Sequence, residues 1–165
     1  MTTIADRFRR LVTPWVSDAQ GSFGVMHADI ERLRVDHPSR VRIVTGVAHD
    51  DVPAYLNAMD LLCAPSRTTP RWREQFGRML IEAMACGVPV LASSSGEIPH
   101  VIGEVGILVR ENDPAGWARE IERLLSDGSR RRDLSARSVE RARSRFAWPV
   151  IARAHLDFFE ELSTQ

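Results

Sequence analysis

The segment Glu74-Gln75-Phe76-Gly77-Arg78-Met79-Leu80-Ile81-Glu82-Ala83-Met84-Ala85-Cys86-Gly87-Val88-Pro89-Val90 decides how this chain is read. Residues 76–86 are predicted to form a helix. Gly87 stops it at the position after the C-cap, where glycine takes a left-handed backbone at no steric cost, and Pro89 follows just beyond. Residues 88–92 then read as a short, continuously apolar strand. A helix feeding directly into such a strand belongs to an α/β fold. The helix is apolar nearly all round, so it is expected to be buried.

Glu82 stands out in that helix. Its neighbours are Met79, Leu80, Ile81, Ala83, Met84, Ala85 and Cys86. A carboxylate in such surroundings is costly unless something hydrogen-bonds to it. A vicinal diol, such as a ribose, offers two O–H donors that suit one carboxylate. Glu74 lies eight residues earlier, just before the helix, where its side chain can face the same cleft. Gly77 lets a ligand approach the backbone. The N–H groups of the first turn, with the helix dipole, form an anion site suited to a diphosphate. A competing reading exists. Glu74, Arg78 and Glu82 are spaced by four, and an Arg clamped between two Glu is an ordinary helix-surface ion pair worth a few tenths of a kcal/mol. Spacing alone leaves both open; the apolar surroundings of Glu82 favour the ligand.

Outward from this segment, strands and helices alternate. Residues 41–45 form a β-rich alternating run closed by Gly46. A helix is expected over 50–59, with a capping Asp and with Pro53 in its first turn, where the missing N–H does no harm. Residues 60–64 are a short apolar strand stopped by Pro65, and 66–73 a polar loop. A tight loop at 93–96 leads to a short helical turn at 98–102 and a last strand at 106–109. Three helices follow, over 113–126, 129–146 and 149–162. Continuous Val/Ile/Leu strands are buried on both faces, as in parallel sheets. With right-handed crossovers the fold class is α/β, a single Rossmann-like domain with a parallel sheet flanked by helices. Ligands of such sheets bind beyond the carboxyl ends of the strands. The loops there are 46–49, 65–75 and 93–97. Residues 1–40 are less regular: a short helix near 6–12, a loop at Pro14 and 21–24, then a helix over 25–37.

Bulk composition narrows the function classes. With 165 residues one domain is expected, and with 22 basic against 22 acidic side chains no net field favours nucleic acid. Every basic residue is Arg, so a Walker-type phosphate lysine and lysine Schiff-base chemistry are excluded. Cys63 and Cys86 sit in apolar runs without ligand spacing and read as buried free thiols of a cytoplasmic protein. The five His are scattered, so no metal site is suggested. No apolar run is long enough for a membrane span, and no secretory leader is expected. The Arg-rich helix from Arg130 to Arg145 reads as a solvated face; contact with an anionic membrane is the minor alternative.

The string as a whole resembles family-four glycosyltransferases of the two-Rossmann (GT-B) fold. Glu74 and Glu82, separated by seven residues and followed by Ala83-Met84-Ala85-Cys86-Gly87-Val88-Pro89-Val90, are similar to that family's signature. Gly46-Val47, Met59-Asp60-Leu61-Leu62 and Pro65-Ser66 resemble its approach to the motif. Ser94-Ser95-Gly96-Glu97-Ile98-Pro99 resembles its Gly-Gly-x-Pro-Glu turn, and Gly106-Ile107-Leu108-Val109 with Asn112-Asp113-Pro114 its later strand and helix cap. The resemblance implies that residues 41–165 are the carboxyl-terminal, donor-binding domain, with residues 1–40 poorly matched.

It also implies roles. Glu82 binds the ribose hydroxyls, and Glu74, the catalytic assignment, binds hydroxyls of the transferred sugar. The backbone of Phe76, Gly77, Arg78 and Met79 holds sugar and diphosphate, and Gly46 and Val47 line the base. The donor is a UDP-, GDP- or ADP-sugar, and a hexose passes to a hydroxyl acceptor with retention. Neither metal nor other cofactor is expected. Three departures accompany the likeness. The family's Gly-Arg segment and basic pair, which neutralise the leaving diphosphate, are not found in residues 1–40; Arg32, Arg34 and Arg67 are candidate substitutes. No acceptor domain is found. Glu97 and His100 stand where the family has Gly and Glu. The terminal helix is expected to expose Ile151, His155, Phe158, Phe159 and Leu162. Three readings follow: half of a split enzyme completed by a separate acceptor-binding Rossmann domain, a non-catalytic nucleotide-sugar-binding module, or an inactive truncated product.

Overall fold

The computed structural model describes Val44 and residues 46–164. The strand expected over 41–45, Arg32, Arg34 and the elements expected within 1–40 lie outside the described residues. A 3-10 turn at His49–Asp51 leads into α1 (Val52–Asn57). Then come β1 (Leu62–Ala64), α2 (Arg78–Ala85), β2 (Val90–Ser93), α3 (Ile98–Ile102), a 3-10 turn at Gly103–Val105 and β3 (Ile107–Val109). The chain closes with α4 (Pro114–Ser126), α5 (Gly128–Phe146) and α6 (Trp148–Ser163).

The strands form a parallel sheet in the order β1-β2-β3, with Leu62 opposite Val90 and Leu91 opposite Ile107. Strand side chains alternate between two buried faces, as period-two geometry requires. Leu62, Ala64, Val90 and Ala92 pack with Leu80 and Met84 of α2 and with Ile98 and Ile102 of α3. Cys63 and Leu91 point the other way, to Leu124 of α4 and Leu134 of α5. Burial on both faces explains why these strands read as unbroken apolar runs.

Two caps differ from expectation. Helix α2 begins at Arg78, two residues later than predicted, because Gly77 has φ 72° and ψ 52°, a left-handed conformation that cannot continue a right-handed helix. Asp51 occupies the N-cap of α1 but makes no side-chain cap bond. It belongs to the preceding 3-10 turn, and its own helical backbone (φ −88°, ψ −16°) lacks the extended geometry that aims a capping side chain. Asp113 and Asp127 do cap, accepting from the N–H of Gly116 (2.8 Å) and Arg130 (2.9 Å). The end of α2 follows the sequence reading: Val88 N–H bonds the Ala83 carbonyl and Gly87 N–H the Met84 carbonyl, a Schellman closure with Gly87 at φ 69°.

The Arg-rich helix α5 is less free than a solvated face. The Arg131 guanidinium donates to the carbonyls of Leu124 and Leu125 at the end of α4. Arg141 donates to Val101 and His100 at the end of α3, and Arg137 to Glu104. These cations satisfy carbonyls that helix ends leave without partners. Helix α6 has no buried residue, and Phe158, Phe159, Leu156 and Leu162 are exposed as far as Trp148 at its start. Ile151 is half-buried, which corrects its place in the expected exposed stripe; it sits in the first turns, where α6 packs on α5. Among the described residues no helix is long and apolar enough to cross a membrane.

Candidate functional site

The loops after the three strands meet at the carboxyl edge of the sheet and are laced together by polar bonds. The Ser93 hydroxyl, buried at the end of β2, donates to the Ser66 carbonyl after β1. The Ser94 N–H donates to the Val109 carbonyl at the end of β3 (2.9 Å). The Glu97 N–H donates to the Glu74 carbonyl (3.1 Å). Beside that bond Gly96 has φ 53°, and a Cβ there would lie 1.9 Å from the Glu74 carbonyl oxygen. Glycine is required at this crossing by both backbone conformation and space.

Glu74 therefore has its main chain held by the Gly96-Glu97 turn. Its carboxylate folds back onto the entrance of α2: Oε1 accepts from the N–H of Gly77 (2.9 Å) and of Phe76 (3.3 Å). The anion position expected at this helix start thus receives the chain's own carboxylate, as a positive helix end favours. Oε2 retains its accepting capacity for a hydroxyl donor. Gly77 serves to place this turn. A Cβ on it would meet the Leu80 side chain at 2.7 Å, and its φ of 72° is left-handed, so both packing and backbone favour glycine here.

Glu82 lies about one turn into α2 and is not deeply buried: its side chain is 30% exposed. The apolar sequence around it overstated its burial, because α2 directs Leu80, Ala83 and Met84 into the core and leaves Glu82 on the flank. Arg78 Nε approaches Glu82 Oε1 at 3.9 Å, and the Arg78 side chain is 83% exposed. The ion pair read from the spacing is thus present, at the outer limit of contact and in solvent, where such pairs contribute little. The structure does not join Arg78 to Glu74, so the double clamp is absent.

The other expected site residues are dispersed around this start of α2. Phe76 is exposed and meets Phe146 of α5 edge-to-face at 6.2 Å. Met79 is half-buried against the core. Gly46, at φ 68° and exposed, and the half-buried Val47 precede the first 3-10 turn, with no hydrogen bond to Glu74 or Glu82. Glu97 does not enter the space before α2: its carboxylate pairs with His100 Nδ1 at 3.1 Å on the surface. Cys63 is buried, and burial pushes its thiol up to about 12. Cys86 is only half-buried, contrary to the sequence reading; partial burial and the Glu82 charge raise its thiol. Among the described residues no three His, Cys, Asp or Glu side chains are grouped to hold a metal.

Sequence reasoning missed a second feature at the strand ends. A cleft of about 220 Å³ opens there, bounded by Ser66, Arg67, Glu111, Asn112, Asp113 and Trp117. Asn112 holds φ 57°, the one positive-φ non-glycine among the described residues. At its rim Glu111 binds Thr68 twice, through the backbone N–H (2.8 Å) and the hydroxyl (2.6 Å), and Thr68 Oγ1 lies 2.9 Å from Ser95 Oγ. These hydrogen bonds hold the Glu111 carboxyl below its ordinary range. The only available signal was position: each residue follows a strand.

Comparison with known proteins agrees with this architecture. The sequence model of the family described as glycosyl transferases group 1 matches residues 20–127. The D-inositol 3-phosphate glycosyltransferase of Salinispora tropica is 38% identical over 124 residues, 74% of this chain and 24% of that protein. The protein of the same name from Streptomyces bingchenggensis is 32% identical over 92% of this chain and 33% of its own length. Among solved structures, sucrose-phosphate synthase from Thermosynechococcus elongatus superposes with a TM-score of 0.73 at 33% identity, covering 90% of this chain and 37% of that one. The Anabaena protein HepE in complex with UDP gives 0.66 at 26% identity, covering 88% and 38%. The chain thus spans about a quarter to two fifths of the relatives described. The family match over 20–127, on a parallel sheet whose carboxyl-end loops converge, shows that this chain belongs to the glycosyl transferases group 1 family, with GT-B glycosyltransferases as its structural neighbours.

Proposed function

We propose that this chain is the carboxyl-terminal, donor-binding domain of a family-four glycosyltransferase. It takes a nucleoside diphosphate sugar, and a hexose passes from it to a hydroxyl acceptor with retention of anomeric configuration. The observation that carries this reading is the seating of Glu74. Its backbone is gripped by the Gly96-Glu97 turn and its carboxylate stands at the N-terminal end of α2, with Glu82 about one turn into the same helix. Glu74 meets the transferred sugar through Oε2. Glu82 meets the ribose diol, and its solvent-exposed contact with Arg78 yields at little cost. With the Phe76 and Gly77 N–H groups held by Glu74, those of Arg78 and Met79 in the first turn of α2 receive phosphate oxygens, and Gly46 and Val47 line the base. Arg67, which lines the strand-end cleft, is a candidate counter-charge for the leaving diphosphate.

One structural neighbour supports UDP among the candidate donors. HepE, 26% identical, is described in complex with UDP, and with UDP and glucose. The acceptor is supplied by a second Rossmann domain, consistent with relatives three to four times as long as the matched part. Calorimetry with UDP, GDP, ADP and their glucose conjugates tests the donor assignment. The reading predicts saturable binding of at least one nucleoside diphosphate; no heat with any of them at millimolar concentration would sink it.

A further inference from the structure

We propose that Glu111 is a positioning residue for Glu74, acting through Thr68 and Ser95; the functional part of this inference rests on the donor-site reading above. The geometry fixes the direction of the hydrogen-bond chain. A hydroxyl has one proton to donate. Thr68 Oγ1 lies 2.6 Å from Glu111 Oε1, an acceptor-only oxygen, so the Thr68 proton goes to Glu111. Toward Ser95 Oγ, at 2.9 Å, Thr68 must then accept, and Ser95 donates. Ser95 is buried, so its hydroxyl needs an acceptor, which Thr68 Oγ1 provides with the Glu111 carboxylate close behind it. Ser95 directly precedes Gly96 and Glu97, the residues pressed against and bonded to the Glu74 carbonyl.

Glu111 thus holds the 65–75 loop at Thr68, and through Ser95 it holds the turn that grips the other end of the same loop at Glu74. The Thr69–Trp72 bridge between these points passes the constraint along the loop. Both oxygens of Glu111 are engaged by Thr68, with charge-assisted bonds at each. Remove the carboxylate, and the Thr68 N–H and hydroxyl both lose the acceptor that anchors them, Thr68 Oγ1 is no longer held where it accepts from Ser95, and the Gly96-Glu97 turn loses its register over Glu74.

The test compares Glu111→Ala, Glu111→Gln and Glu74→Ala with the parent chain. Glutamine keeps one oxygen for the Thr68 N–H and presents an amide donor to one lone pair of Thr68 Oγ1, whose other lone pair still accepts from Ser95, so it is the rescuing variant. In amide hydrogen exchange, Glu111→Ala is expected to lose about tenfold protection at the Glu97 and Gly77 N–H groups, which both bond Glu74, while Glu111→Gln keeps most of it. In calorimetry with UDP and UDP-glucose, Glu111→Ala is expected to weaken UDP-glucose by about tenfold and UDP by less than about twofold, as Glu74→Ala does, with no further loss in the double variant. Unchanged exchange at Glu97 and Gly77 overturns the positioning role, whatever the ligand does. Equal weakening of UDP and UDP-glucose, or losses that add in the double variant, also overturns it. If the parent chain binds neither ligand, the donor-site reading fails by itself, and the exchange comparison still decides whether Glu111 sets Glu74.

Discussion

Replacing Gly96 with alanine probes the contact on which the site is built. The new Cβ would stand 1.9 Å from the Glu74 oxygen and 2.9 Å from its carbonyl carbon, both backbone atoms. No rotamer relieves that overlap, so the Gly96 turn and the Glu74 segment must separate by about 1.5 Å to reach ordinary contact. Separation breaks the Glu97 N–H bond to Glu74, worth about 1 kcal/mol net. Alanine at φ 53° adds about 1 kcal/mol of backbone strain. The expected loss is about 2 kcal/mol, which lowers Tm by roughly 4–8 °C in a chain of this size. Gly46→Ala is the internal control. Its φ of 68° carries the same strain, but nothing lies within 4 Å of the added Cβ, so about half the loss is expected. Thermal unfolding measures both. Calorimetry should show UDP-glucose binding weakened about tenfold or more by Gly96→Ala, because Glu74 is displaced by about 1.5 Å. A Gly96→Ala variant no less stable than Gly46→Ala, with donor affinity intact, would refute the claim that this crossing seats Glu74.

Three other outcomes are expected. Glu82→Ala should weaken nucleotide binding by about tenfold and His100→Ala by less than about twofold, since His100 is engaged by Glu97 on the surface; equal effects in calorimetry would remove the ribose role from Glu82. Arg78→Ala should change the urea-unfolding free energy by less than about 0.5 kcal/mol, because its pair with Glu82 is long and solvent-exposed; a larger loss would make the pair structural. Stability should fall as pH rises from 9.0 toward 12. In that window the unfolded chain releases the Cys63 proton and the folded chain keeps it, so unfolding is favoured by alkali; below 9.0 both states hold the proton and the term vanishes. No lysine titrates alongside to obscure the slope, and urea midpoints between pH 8 and 11 should fall less steeply for Cys63→Ala than for the parent chain.

The sequence by itself determined the element order and the parallel α/β class. The apolar runs at Leu61–Ala64 and Val88–Ala92 admit only strands buried on both faces, and Gly87 with its positive φ dictates where α2 ends; both are local properties of the chain. The pairing of Arg78 with Glu82 and the exposure of Phe158 and Phe159 were also legible, because helical periodicity alone sets them. What surrounds a side chain was not. Glu82 reads as buried from its neighbours in sequence, yet which flank of α2 meets the sheet depends on packing, and that leaves Glu82 partly in solvent. The Arg-rich α5 reads as a wetted face, yet Arg131 turns back onto the end of α4, and Arg137 and Arg141 reach carbonyls of the turn after α3 and of α3 itself, distant in sequence. Glu111, Thr68 and Ser95 fall after different strands, and no spacing rule unites them. Only the parallel sheet, by bringing its carboxyl ends to one edge, places a carboxylate from one loop on the hydroxyl of another and so decides where Glu74 stands.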